Sequence, residues 1–252
     1  MKVIVTKDYR AMSLRAADLV EAYVERNPEA LVSFPGGDTP VGMLDEFVAR
    51  VNRGQLDPGG LRFVQLDDWV GIGPEDEGSC SHFIRETLLR PMKTPFAQVF
   101  TFDGAAPDVD GQLAAQDDFI RRFGPIGAEV LGIGMNGHLG FNEEGVDFSL
   151  RSHRTALSAV TRGVQKKYFG GRDLPLTEGI TQGIAQIMES RMVILLANGE
   201  KKAQIIARAL TGPVDSRVPA SVLQGHPNCV CVLDRAAASL LPRDLPGLEW
   251  ED

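Results

Sequence analysis

The chain has little cysteine. Cys80, Cys229 and Cys231 are too few among 252 residues, and odd in number, for a disulfide framework. Cys229 and Cys231 lie in an apolar run, where they read as small hydrophobes. Long apolar runs are lacking too: no segment approaches the length needed to cross a bilayer. Met1-Lys2-Val3-Ile4-Val5 reads as a first strand and not as a cleaved leader, so a cytoplasmic location is expected. Basic runs are missing. With 26 Lys and Arg against 34 Asp and Glu, the net charge is −8, which argues against nucleic acid and anionic membranes as partners. His82, His138, His153 and His226 are scattered, and HxH, HExxH and CxxC spacings are absent, so no metal is expected. There is no G-x-S-x-G, no Gly-Lys-Ser/Thr, and no third glycine to complete Gly132-Ile133-Gly134 as a dinucleotide fingerprint. A Ser-His-Asp hydrolase, a Walker nucleotide site and a nicotinamide site all lose support.

What is present alternates strand and helix. A hydrophobic fraction of 43% is enough for one sizeable core. Short apolar runs at Val3–Val5, Ala30–Phe34, Leu61–Leu66, Gln98–Phe102, Val130–Ile133, Met192–Leu196 and Cys229–Leu233 read as strands. Helical patterns lie between them at 11–25, 41–52, 79–89 and 108–123, and later at 177–188, from 202, from 220 and at 236–241. The repeated βα order predicts a doubly wound, mostly parallel α/β sheet with helices on both faces. One domain, 1–252, is expected. The glycine-containing stretch around 150–178 has no strong core pattern and is expected to form a lid.

Four clusters carry chemistry, each near the carboxyl end of a strand, where open α/β sheets bind ligands. Pro35-Gly36-Gly37-Asp38-Thr39-Pro40 leads from a strand into a helix, the arrangement of a phosphate-accepting turn capped by Asp38 or Thr39. Asp67 and Asp68 are adjacent, so only one of them can face a given pocket. The loop Gly134-Met135-Asn136-Gly137-His138-Leu139-Gly140-Phe141-Asn142-Glu143 follows a buried strand and offers a histidine and an acid among glycines. Lys166, Lys167, Lys201 and Lys202 supply cations. Lys202 at a helix start is favourable only if an anion shares the position. Together they suit proton transfer on a small phosphorylated metabolite.

Leu66-Asp67-Asp68-Trp69-Val70-Gly71 and Leu131 through Glu143 resemble the glucosamine-6-phosphate deaminase (isomerase) family. The likeness runs on through Gly179-Ile180-Thr181-Gln182-Gly183, Gly199-Glu200-Lys201-Lys202-Ala203 and Leu223-Gln224-Gly225-His226-Pro227. It implies conversion of glucosamine 6-phosphate to fructose 6-phosphate and ammonia, with no cofactor and no catalytic metal. Asp67 would move the C2 proton to C1, and His138 would shuttle the ring-opening proton. Asn136 and Glu143 would hold His138. Gly36, Gly37, Asp38, Thr39, Asp68, Lys167 and Lys202 would bind substrate. Departures from the family are Asn136 in place of a common Asp, Lys167 in place of Arg, the Gly-Gly-Asp turn, and Trp69. Trp69 also occurs in galactosamine-6-phosphate deaminases, the nearest alternative. A 6-phosphogluconolactonase and a non-catalytic sugar-phosphate sensor follow. The region 149–155 does not match the allosteric site of regulated members, and a homo-oligomer is left open.

Overall fold

Runs of Val, Ile and Leu form the centre of the molecule because their side chains alternate to two helix-covered faces. The computed structural model describes residues 1–172 and 174–251; Asp173, inside the expected lid, and Asp252 lie outside the described residues. The chain begins β1 (Lys2–Thr6), α1 (Tyr9–Val24), β2 (Leu31–Ser33), α2 (Val41–Asn52), β3 (Arg62–Val64), β4 (Asp67–Trp69) and α3 (Cys80–Ile84). It continues β5 (Gln98–Phe100), α4 (Val109–Phe123), β6 (Ala128–Gly132), β7 (His153–Ala156), α5 (Ala159–Tyr168) and β8 (Glu178–Thr181). It closes with α6 (Ile184–Glu189), β9 (Met192–Ala197), α7 (Ala203–Thr211), β10 (Cys229–Asp234) and β11 (Leu248–Trp250).

Eight strands form one sheet in the order β11-β1-β10-β9-β6-β2-β3-β5, and the pairings within it are parallel. The expected doubly wound α/β sheet is present. On β9, Ile194 and Leu196 pack with Met12, Ala16 and Val20 of α1 and with Met43, Leu44 and Phe47 of α2. Val193, Leu195 and Ala197 point the other way, onto Ile205, Ile206, Ala209 and Leu210 of α7. From β2 the chain winds outward through β3 to β5. It then returns to β6, beside β2, and winds the opposite way through β9 and β10. The loops after β2 and β6 therefore leave the sheet side by side at the reversal, where such sheets open a crevice.

Several elements differ from expectation. The residues at 177–188 are not one helix: β8 comes first and α6 follows. Gly183 is the pivot, because a Cβ there would stand 2.1 Å from the Leu150 carbonyl oxygen and 2.2 Å from that of Arg151. Asp67–Trp69 does not end a strand of the large sheet. It leaves as β4 and pairs antiparallel with β8, which pairs with β7, making a small second sheet. The expected helix at 79–89 is α3 followed by a π-helical turn at Arg85–Leu89, and the one from 220 is a 3-10 helix over Pro219–Gly225. Residues 236–241 form turns, with Pro242 just beyond, and the unexpected β11 adds an edge to β1. The segment expected to form a lid contains β7 and α5, with Ser158 capping α5 through the Thr161 N–H.

Glu129 on β6 is fully buried, accepting from Gln182 Nε2 at 2.7 Å and Ser190 Oγ at 2.5 Å. Burial pushes its pKa up to about 7, against those two hydrogen bonds. The folded state thus keeps a proton that the unfolded chain has already released, so stability falls as pH rises towards 7 and stays low above it. Glu129→Gln removes this penalty. In thermal melts, its Tm relative to the parent should be higher at pH 8 than at pH 5, with a gain of at most about 3 kcal/mol at pH 8.

Candidate active site

The loop after β6 folds back through Gly134 N–H to His138 O at 3.0 Å. A Cβ on Gly134 would lie 2.3 Å from His138 Nε2, so the imidazole can rest over this backbone only because residue 134 has no side chain. His138 Nδ1 is 3.5 Å from Glu143 Oε2 and 3.3 Å from Thr161 Oγ1. Glu143 also accepts from Asn136 Nδ2 at 2.7 Å, from Thr161 Oγ1 at 2.5 Å and from the Ser158 N–H at 3.1 Å. Burial raises the Glu143 pKa, but hydrogen bonds from His138, Thr161 and Asn136 outweigh it and hold the carboxyl at about 2. A carboxylate only accepts, so its imidazole partner carries the Nδ1 proton and leaves Nε2 with the lone pair. Asn136 therefore acts on Glu143, with its own Oδ1 turned to the His138 N–H at 3.4 Å.

The acid pair divides as the alternation of β4 requires. Asp68 is fully buried and accepts from the N–H groups of Trp69 (2.8 Å), Cys80 (2.9 Å) and Ser81 (2.9 Å), and from Gln65 Nε2 (3.2 Å). It fixes the start of α3 against β4, with no open side for a ligand, so its placement among the substrate-binding residues is corrected to a structural one. Asp67 has no such set of donors. Burial, and next the Asp68 charge, push its pKa up to about 7, with the Cys80 side chain opposing. Its Oδ2 lies 3.5 Å from where a Cβ of Gly140 would be, which brings it against the His138 loop.

Gly36, Gly37, Asp38 and Thr39 leave β2 beside that loop. Gly37 has φ +98°, a left-handed conformation that favours glycine, and faces the Tyr168 hydroxyl, 3.5 Å from its would-be Cβ. The α2 cap is Pro40, which supplies no side-chain hydrogen bond. Capping by Asp38 or Thr39 is thus not observed; Thr39 Oγ1 donates to Asn198 Oδ1 at 3.1 Å, and Asp38 ion-pairs with Lys167. Lys202 Nζ donates to Ile133 O at 2.5 Å, and burial together with nearby Lys167 lowers its pKa to about 8. Asp38 of the turn meets Lys167, and Lys167 is near enough to Lys202 to lower its pKa, so the turn and the two lysines share one corner. A hollow of about 470 Å³ lined by Tyr23, Asn27, Phe123 and Arg191 opens at the opposite, amino ends of β2 and β6 and holds none of these groups. Among the described residues, no three His, Cys, Asp or Glu are grouped to hold a metal ion.

Sequence reasoning passed over Ser158, Thr161 and Cys80. The spacing Ser158-Ala159-Val160-Thr161 is a helix start, the one signal available for the first two. Trp69 is buried, with Phe141 at 4.8 Å and Phe169 at 6.0 Å between ring centroids. Its indole belongs to the seam under α5 and not to the pocket.

A family model for glucosamine-6-phosphate isomerases/6-phosphogluconolactonase matches residues 7–231. The chain belongs to this family. Among its relatives, a glucosamine-6-phosphate deaminase of Geobacillus sp. (strain WCH70) is 35% identical over 96% of both chains. One of Thermoanaerobacter pseudethanolicus (strain ATCC 33223 / 39E) is 31% identical over 99% of both. A solved structure of a monomeric glucosamine-6-phosphate deaminase superposes with a TM-score of 0.91 at 29% identity, covering 95% of this chain and 100% of that one. The 6-phosphogluconolactonase of Trypanosoma brucei shares the fold, with a TM-score of 0.76 at 19% identity over 96% of this chain and 98% of that one.

In this member of the family, the two acids of β4 separate by stability as well as by chemistry. Asp68→Ala strands three backbone N–H groups and should cost about 3 kcal/mol or more in urea unfolding. A loss under 1 kcal/mol would contradict the structural role.

Proposed function

We propose that this chain is a glucosamine-6-phosphate deaminase, converting glucosamine 6-phosphate and water to fructose 6-phosphate and ammonia. The observation that carries this reading is Asp67, a buried carboxyl with its pKa near 7, set beside a His138 oriented by an anionic Glu143. His138 Nε2 takes the anomeric hydroxyl proton and returns it to the ring oxygen, which opens the sugar. Asp67 removes the C2 proton and delivers it to C1, while a proton passes from the 2-amino group to O1, leaving a hydroxymethyl group at C1 and an imine at C2. Water adds to that carbon and the amine departs as ammonia. Desolvation makes Asp67 basic enough for a C–H proton, and a titration point near neutrality lets it hold the proton between steps. The phosphate is held by the turn at Gly36–Thr39 with Lys167 and Lys202.

The relatives named above support the deaminase over a lactonase, whose likeness is one of fold. Trp69, the residue favouring a galactosamine substrate, is committed to the aromatic seam. Every group in the proposed machinery comes from one chain, and the monomeric relative supports a site that needs no second copy. Among the described residues, no helix is long and apolar enough to cross a membrane. All three cysteines are free, which suits a catalyst of the reducing cytoplasm. We read 1–252 as one domain with a lid at about 150–178.

A coupled ammonia assay across glucosamine 6-phosphate, galactosamine 6-phosphate and 6-phosphogluconolactone should show turnover of the first. Asp67→Asn should reduce it by about 10²–10⁴-fold while fructose 6-phosphate still binds. Unchanged turnover would remove Asp67 as the base.

Asp67 must be ionised to act and Lys202 must be charged to hold phosphate. The pH profile of kcat/KM should therefore rise through about 7 and fall through about 8. An acid limb near 4 would mean that Asp67 is not the group being titrated.

A further inference from the structure

A turn built to take an anion carries a carboxylate. Asp38 sits inside Gly36–Thr39, and its side chain is ion-paired to Lys167 of α5. The backbone of this turn is held from behind: Tyr9 Oη donates to the Asp38 carbonyl at 3.2 Å and accepts from the Gly42 N–H at 2.9 Å. The Asp38 carboxylate is thus presented towards the lid on a fixed support. Lys167 is also near enough to Lys202 for the two positive charges to repel.

We propose that Asp38 is an internal stand-in for the substrate's phosphoryl group: it engages Lys167 and holds α5 over the site, and a phosphorylated sugar binds by displacing it. The proposal rests on the phosphate corner assigned above and not on the deamination chemistry. Exposure makes the exchange workable. Asp38 and Lys167 are 63% and 61% exposed at the side chain, so their pairing is weak and easily traded. A phosphoryl dianion carries twice the charge of a carboxylate and can draw on Lys202 and the turn's N–H groups as well. A sugar without phosphate offers nothing to displace Asp38, so the same residue discriminates against unphosphorylated sugars. The cost is affinity, because a displaced Asp38 remains close to the bound anion.

The test uses inorganic phosphate as probe, titrated calorimetrically into the full chain and into Asp38→Asn, Lys167→Ala and the double variant. In about 20 mM salt, Asp38→Asn should bind phosphate about 3–10-fold more tightly than the parent. The gain should shrink at 0.5 M salt, where exposed charges are screened. It should be clearly smaller in the Lys167→Ala background, where there is no ion pair to break and only the repulsion between Asp38 and the bound anion is relieved. Without phosphate, trypsin should cut α5 faster in Asp38→Asn than in the parent. Equal or weaker phosphate binding by Asp38→Asn, or the same gain without Lys167, would overturn the proposal. Phosphate binding is read without turnover, so a failed deaminase assay would leave this result standing, and the reverse also holds.

Discussion

Two neighbouring carboxylates cannot both be buried and charged unless something compensates them, and the site is arranged around how β4 solves this. Asp68 takes three backbone N–H groups and the Gln65 amide. Asp67, pointing the other way, has no comparable set and sits beside its neighbour's charge. One acid becomes a structural clamp and the other a carboxyl that titrates near neutrality. The same short strand thus fixes the start of α3 and supplies the proposed base.

The opposite bias operates at Glu143. Three side-chain contacts overcome its burial, and the resulting anion selects which nitrogen of His138 is free. Asn136 belongs to this arrangement as a donor to the acid. A carboxylate in its place would set a second negative charge against Glu143 where a hydrogen bond now stands. Asp67 with its pKa near 7 and Glu143 held at about 2 show two carboxyls in one crevice driven apart by their surroundings, a division that suits separate roles.

Much of this was legible in the chain. The order of strands and helices implied the doubly wound sheet, and glycines after apolar runs marked the two loops that meet at its reversal. The alternation of strand side chains showed that Asp67 and Asp68 must part. Only the fold shows how, because β4 finds its partner more than a hundred residues later in β8. The stretch at 177–188 was misread as helix for the same reason: Thr177-Glu178-Gly179 looks like a cap locally, and its pairing is not local. Ser158 and Thr161 were hidden in a segment whose polarity matches that of a solvated lid. Their role appears when α5 is laid across the Glu143 carboxylate.

The small sheet also sets an order of events during synthesis. The strand bearing Asp67 has nothing to pair with until Glu178–Thr181 has been made, and Trp69 waits for Phe141 and Phe169 before its ring is covered. Pairings of such sequence separation are closed late in folding, since the intervening chain must first be drawn in. The large sheet, too, cannot place β6 beside β2 until nearly a hundred residues have followed β2. A chain halted anywhere before residue 181 therefore lacks the full partner of the strand on which its proposed base is mounted. The proposed base therefore cannot be seated until more than two thirds of the chain has been made.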